Sequence, residues 1–125
     1  DEARRLLLAE PGVSTAYTRR ELMSGRRIGA PFFDAMRLAW HRDVSGEVQF
    51  ALKPGWMFGS TVATHGSPHV VDTHVPILLY GPGWVTPGER AERVAPVDIA
   101  PTLARLLRLP SPAASEGHVL AGALR

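Results

Sequence analysis

Three histidines and one carboxylate crowd a short stretch of this chain: His65, His69, Asp72 and His74. They lie in Thr64-His65-Gly66-Ser67-Pro68-His69-Val70-Val71-Asp72-Thr73-His74, which runs into the apolar Val75-Pro76-Ile77-Leu78-Leu79-Tyr80 and closes at Gly81-Pro82-Gly83. Imidazole and carboxylate are the side chains that bind divalent metals and move protons near neutral pH. On a helix, His65 and His69 would share a face as a metal pair. Gly66 and Pro68 between them argue against a helix, because proline removes a backbone donor and clashes in a helix interior. The stretch therefore reads as a loop. Asp72 and His74 are two apart at the entrance to the apolar run, so an extended chain there points both to one face. Polar groups at the mouth of a buried strand are where α/β enzymes present side chains from a rigid base.

The elements that must hold this loop follow from pattern. Glu2 to Glu10 are good helix formers stopped by Pro11-Gly12. Val13 to Tyr17 alternates like a half-buried strand, and Thr18-Arg19-Arg20-Glu21 has the form of a capping box opening a short helix that ends at Gly25. Pro31 suits the first turn of a helix over Phe32 to Trp40, with Phe33, Met36 and Trp40 on its apolar face. A polar turn, His41 to Gly46, leads to a strand over Glu47 to Leu52 with Val48, Phe50 and Leu52 inward. Trp56 and Phe58 are placed to cover a sheet edge. Arg93 to Ala95 reads as a short edge strand, and Asp98 as the N-cap of a last helix that buries Leu103, Leu106 and Leu107. The Ala/Gly-rich tail after Pro110 and Pro112 reads as loosely held. Strands alternating with helices predict an α/β fold, a sheet with helices on its faces.

Composition narrows the class. The chain has 125 residues with 45% hydrophobic content, enough for one modest globular domain. Its net charge of +2 comes from thirteen arginines and one lysine against 12 acidic residues, without the clustered basic face that nucleic-acid binding needs. The absence of cysteine removes disulfides, thiolate metal sites and a thiol nucleophile. No apolar stretch approaches the roughly 20 residues of a membrane span. Asp1-Glu2-Ala3-Arg4-Arg5 carries neither an initiator methionine nor a signal-peptide pattern, so the chain reads as beginning mid-protein or as a processed product.

Thr64-His65-Gly66-Ser67-Pro68, then Asp72-Thr73-His74-Val75-Pro76 and Tyr80-Gly81-Pro82-Gly83, resemble the C-terminal segment of the alkaline phosphatase superfamily. The branch they are most similar to is the type I phosphodiesterase/nucleotide pyrophosphatase group with its related bacterial alkaline phosphatases. Val97-Asp98-Ile99-Ala100-Pro101-Thr102-Leu103 is similar to the family's last helix start, and Ser45 to Val48 through Lys53 to Trp56 to the strand before the site. The resemblance covers roughly residues 11 to 121, in the family's order.

The resemblance implies part of a three-layer α/β/α sandwich, with residues 1–125 forming the C-terminal portion of one catalytic domain. It implies a hydrolase that transfers the phosphoryl group of a small-molecule phosphate ester to a Thr or Ser and then to water. Two zinc ions would stand about the reacting phosphate. His65 corresponds to a histidine ligand of one zinc. Asp72 and His74 are candidates for supporting a ligand from behind, Asp72 equally for capping a turn. His69, where relatives commonly carry an aromatic such as tyrosine, is expected at the rim. The nucleophile and the other ligands belong to N-terminal motifs outside this chain, since none of Ser45, Ser60, Thr61, Thr64 or Ser67 stands in the nucleophile's context. The resemblance favours a phosphomonoesterase over a phosphodiesterase, a periplasmic or secreted location, and no appreciable activity for this chain alone. The missing N-terminal part of the domain is then its partner. A different class stays open: an independent non-catalytic module using the His65, His69, Asp72 and His74 cluster to bind one metal ion, or serving in interactions.

Overall fold

The structure, a computed structural model, describes all of residues 1–125. The chain divides into two compact units, Asp1–Val75 and Pro76–Arg125. In the first, α1 (Glu2–Ala9) stops where Pro11 and Gly12 turn the chain into β1 (Val13–Thr18). Lys53 donates its backbone N–H to the Gly12 carbonyl, and a Cβ on Gly12 would collide with the Trp56 ring, so only glycine fits under that indole. Thr18 then caps α2 (Arg19–Ser24). Its hydroxyl accepts from the Glu21 N–H at 3.3 Å, and the Glu21 carboxylate accepts from the Thr18 N–H at 2.9 Å. Gly25 ends this helix in the left-handed region, φ +65°, which glycine enters without strain.

β1 pairs antiparallel with β2 (Val48–Leu52), Tyr17 opposite Gln49 and Thr15 opposite Ala51, with an irregularity between Val13 and Thr15. The face of this pair that carries Tyr17 and Ala51 meets Leu22 of α2 and Phe33 and Met36 of α3 (Phe33–Leu38). Trp40 packs against that cluster, as its helical spacing predicts. Tyr17 sits edge-on to Phe33 at 5.0 Å and donates its hydroxyl to the Pro31 carbonyl at 2.7 Å, so the polar end of a buried ring is satisfied. α3 is shorter than its pattern predicts. Phe32 takes a left-handed conformation, φ 60°, and stands before the first turn rather than in it.

Strand parity differs from expectation. Ala51, not Val48, Phe50 and Leu52, is the buried residue of β2, and the other three are half-buried. The residue opposite Tyr17's face decides which parity points to the core, and alternation within one strand does not carry that information. Phe58 packs edge-on to Phe50 at 5.7 Å, so one of the two aromatics expected to cover the sheet does so through the outer face of β2.

In the second unit, a 3-10 turn at Pro96–Asp98 leads into α5 (Ile99–Leu106). Asp98 does not cap α5 with its side chain. Its carboxylate accepts instead from the Ala95 N–H and the His118 N–H, both at 2.8 Å. Thr102 donates its hydroxyl to the Asp98 carbonyl at 2.6 Å and accepts the Leu120 N–H at 2.9 Å. The tail is therefore pinned, not loose. Val85 bridges Leu124, Thr86 bonds to the Ala123 and Leu124 carbonyls, and a Cβ on Gly117 would run into the Val97 backbone. α5 buries Pro101, Thr102 and Ala104, whereas Leu103 and Leu107 of the expected apolar face are 45% and 67% exposed. Arg93 to Ala95 forms no strand, and neither does Val75 to Tyr80, where Leu78 and Tyr80 are 89% and 94% exposed. No helix is long and apolar enough to cross a membrane.

Candidate functional site

The histidine stretch lies in the first unit and enters from β2 through the turn after Lys53. Gly66 has φ +89°, a conformation that a side-chain-bearing residue adopts only under strain, so the His65-Gly66 step is a true loop corner. This agrees with the reading that His65 and His69 do not share a helix. From Val70 to Thr73 the chain makes a single helical turn, α4, started by the His69 carbonyl, which accepts from the Asp72 N–H at 2.9 Å and the Thr73 N–H at 3.0 Å. The expected extended pairing of Asp72 and His74 is thereby replaced. His74 ends the turn, its N–H on the Val70 carbonyl and its ring exposed.

Of the two roles open to Asp72, the geometry shows one. Its Oδ2 accepts from the Ser67 hydroxyl at 2.6 Å and the Ser67 N–H at 2.8 Å, closing the loop on itself. The hydroxyl bond first, then the amide bond, holds this carboxyl below the ordinary aspartate value, and the nearby His65 and His69 add a smaller push in the same direction. His69 is half-buried. Its Nε2 lies 2.8 Å from the Leu52 carbonyl and its ring meets Phe32 edge-on at 4.8 Å. His65 is exposed and its ring forms no hydrogen bond within the chain.

No group of three or more histidine, aspartate or glutamate side chains converges as a metal cage within the chain. The single-ion module expected as an alternative thus lacks its geometry: Asp72 is turned onto Ser67 and His69 onto Leu52, leaving His65 and His74 without partners between them. What remain are two exposed imidazoles, His65 and His74, on a braced loop.

No family profile matches the chain. The chain is 36% identical over 123 residues to alkaline phosphatase PhoK of Sphingomonas sp, across 89% of its own length and 22% of that protein's. Its whole length superposes on 24% of a crystal structure of wild-type alkaline phosphatase PafA with a TM-score of 0.85, at 24% identity. This chain is a part-length member of the alkaline phosphatase superfamily. A shorter match, 39% identical over 71 residues, is to a protein of Myroides odoratus named calcium-transporting ATPase, and covers 54% of the chain and 13% of that protein. The chain thus spans less than a quarter of the length of the superfamily members it matches.

Leu103 and Leu107 of α5, and Leu78 and Tyr80 of the Val75 to Tyr80 run, leave apolar surface exposed on this chain. The fold is a partial α/β one, and the two-stranded sheet is the part of it that this chain builds from its own residues.

Proposed function

We propose that this chain is the C-terminal portion of the catalytic domain of a zinc-dependent phosphoric-ester hydrolase, and that His65 is its contribution to the metal site. The observation that carries the reading is the match to an alkaline phosphatase along nearly the whole chain, joined to a loop in which the Ser67, His69, Asp72 and Thr73 side chains are tied down locally while His65 stands exposed. A catalytic zinc takes three protein ligands and keeps a position open, and paired zinc sites need two such sets. His65 fits as one donor, an exposed imidazole beside a loop corner with no competing partner in the chain. Bound zinc would neutralise the charge of a phosphate ester and make an attacking oxygen more acidic. The chain's own part is to present His65 on the braced loop. The Thr or Ser that takes the phosphoryl group, and the remaining acidic and histidine ligands, belong to the N-terminal part of the domain. A phosphomonoester is the favoured substrate class, and export to the periplasm or outside the cell the favoured location, both on the strength of the family resemblance.

The test is a chimera in which this chain replaces the matching 123 residues of the Sphingomonas relative. The reading expects zinc-dependent turnover of an aryl phosphate by the chimera, loss of at least a hundredfold in H65A, and none above background from the 125-residue chain by itself. A folded chimera whose turnover is indifferent to H65A overturns it.

A further inference from the structure

His69 makes the most specific contact in the site loop, and the catalytic reading assigns it nothing. A carbonyl oxygen only accepts, so at 2.8 Å from the Leu52 carbonyl the His69 ring must carry its proton on Nε2. Leu52 is the last residue of β2, the strand paired to β1 over the buried cluster of Tyr17, Leu22, Phe33, Met36 and Ala51. The same ring lies edge-on to Phe32, which packs on that cluster. One side chain therefore fastens the loop to both the sheet and the core.

The rest of the loop depends on this fastening. The His69 carbonyl starts α4 by accepting from Asp72, Thr73 and the Thr73 hydroxyl, and α4 delivers the Asp72 carboxylate back to Ser67. The segment from Ser67 to Thr73 is thus a closed set of hydrogen bonds, and His69 is its side-chain bond to β2. Gly66 and His65 follow directly from its near end. We propose that His69 is a positioning residue: through its Nε2–H bond to the Leu52 carbonyl it fixes the loop that presents His65. This rests on the reading of His65 as a metal ligand for its catalytic meaning, and not for its geometry.

Two substitutions separate the hydrogen bond from the packing. H69F keeps a ring against Phe32 and removes the donor, whereas H69Q keeps a donor that reaches the carbonyl. Hydrogen exchange of the full 125-residue chain, followed by mass spectrometry at low micromolar concentration, reads the loop separately from the sheet. H69F is expected to speed exchange across residues 66–74 at least tenfold, H69Q to return it to within about threefold of the unsubstituted chain, and both to leave Val13–Thr18 unchanged. In the chimera, the zinc dissociation constant measured against a chromophoric chelator is expected to rise by about tenfold in H69F and to recover in H69Q, within the range seen for groups that support metal ligands. Loop exchange that is the same in H69F, or that H69Q fails to restore, overturns the proposal. H65A serves as the control. If it leaves loop exchange unaltered while H69F raises it, the positioning role stands even where the zinc reading fails.

Discussion

At the scale of single residues, the chain is held by carboxylates that collect donors. Glu21 is the clearest: burial alone would raise its pKa, but the Thr18 N–H, the Thr18 hydroxyl, Arg4 and Arg27 together bring it below the ordinary glutamate value. Losing the Thr18 hydroxyl removes the acceptor for Glu21 N–H and one donor to its carboxylate, so T18A is expected to cost about 1 kcal/mol, read as a lower urea midpoint. Asp72 works similarly on a smaller loop. A carboxyl whose folded pKa is depressed contributes stability that is complete above its unfolded value and lost as pH falls through the folded one. The Ser67 amide shift, followed by NMR, is therefore expected to titrate with a midpoint below 3.8, and D72N to abolish that step. A midpoint at or above 3.8 contradicts the Asp72–Ser67 bond.

At the scale of elements, what was legible in the sequence is what local chemistry decides. The Thr18–Glu21 capping box and the stop at Gly25 follow from residues within a few positions of each other, and both stand where the pattern puts them. The face of β2 was not legible, because Ala51 is buried by its register against β1 and by α3, neither of which is written in Val48 to Leu52. The tail was misread for the same reason. Its Ala/Gly composition suggests looseness, whereas Gly117 is required where the backbone passes against Val97, and Asp98 and Thr102 accept the N–H groups that follow it. G117A is expected to release this segment, seen as faster amide exchange at His118 and Leu120 with β1 unaffected. In the first unit, Phe33 is wholly buried and F33A is expected to cost about 3–5 kcal/mol, enough to abolish cooperative unfolding of Asp1–Val75. His65 is singled out only by the resemblance to the family's spaced motifs. Nothing in its own surroundings distinguishes it from any exposed histidine.

At the scale of the molecule, Leu103 and Leu107 of α5 and the Val75 to Tyr80 run, expected to be buried, instead stand largely exposed, and the run forms no strand. An unpaired apolar run and an uncovered helix face invite association. The isolated chain is expected to bind a hydrophobic dye and to self-associate with rising concentration, and the chimera to do neither. A chain that stays monomeric and dye-free would favour the independent-module reading. The central claim, that His65 ligates zinc, is tested most directly by anomalous diffraction at the zinc edge from crystals of the chimera. The account predicts a metal peak about 2.0–2.1 Å from a His65 ring nitrogen. A zinc-loaded chimera in which the His65 ring stands clear of every metal peak would contradict it.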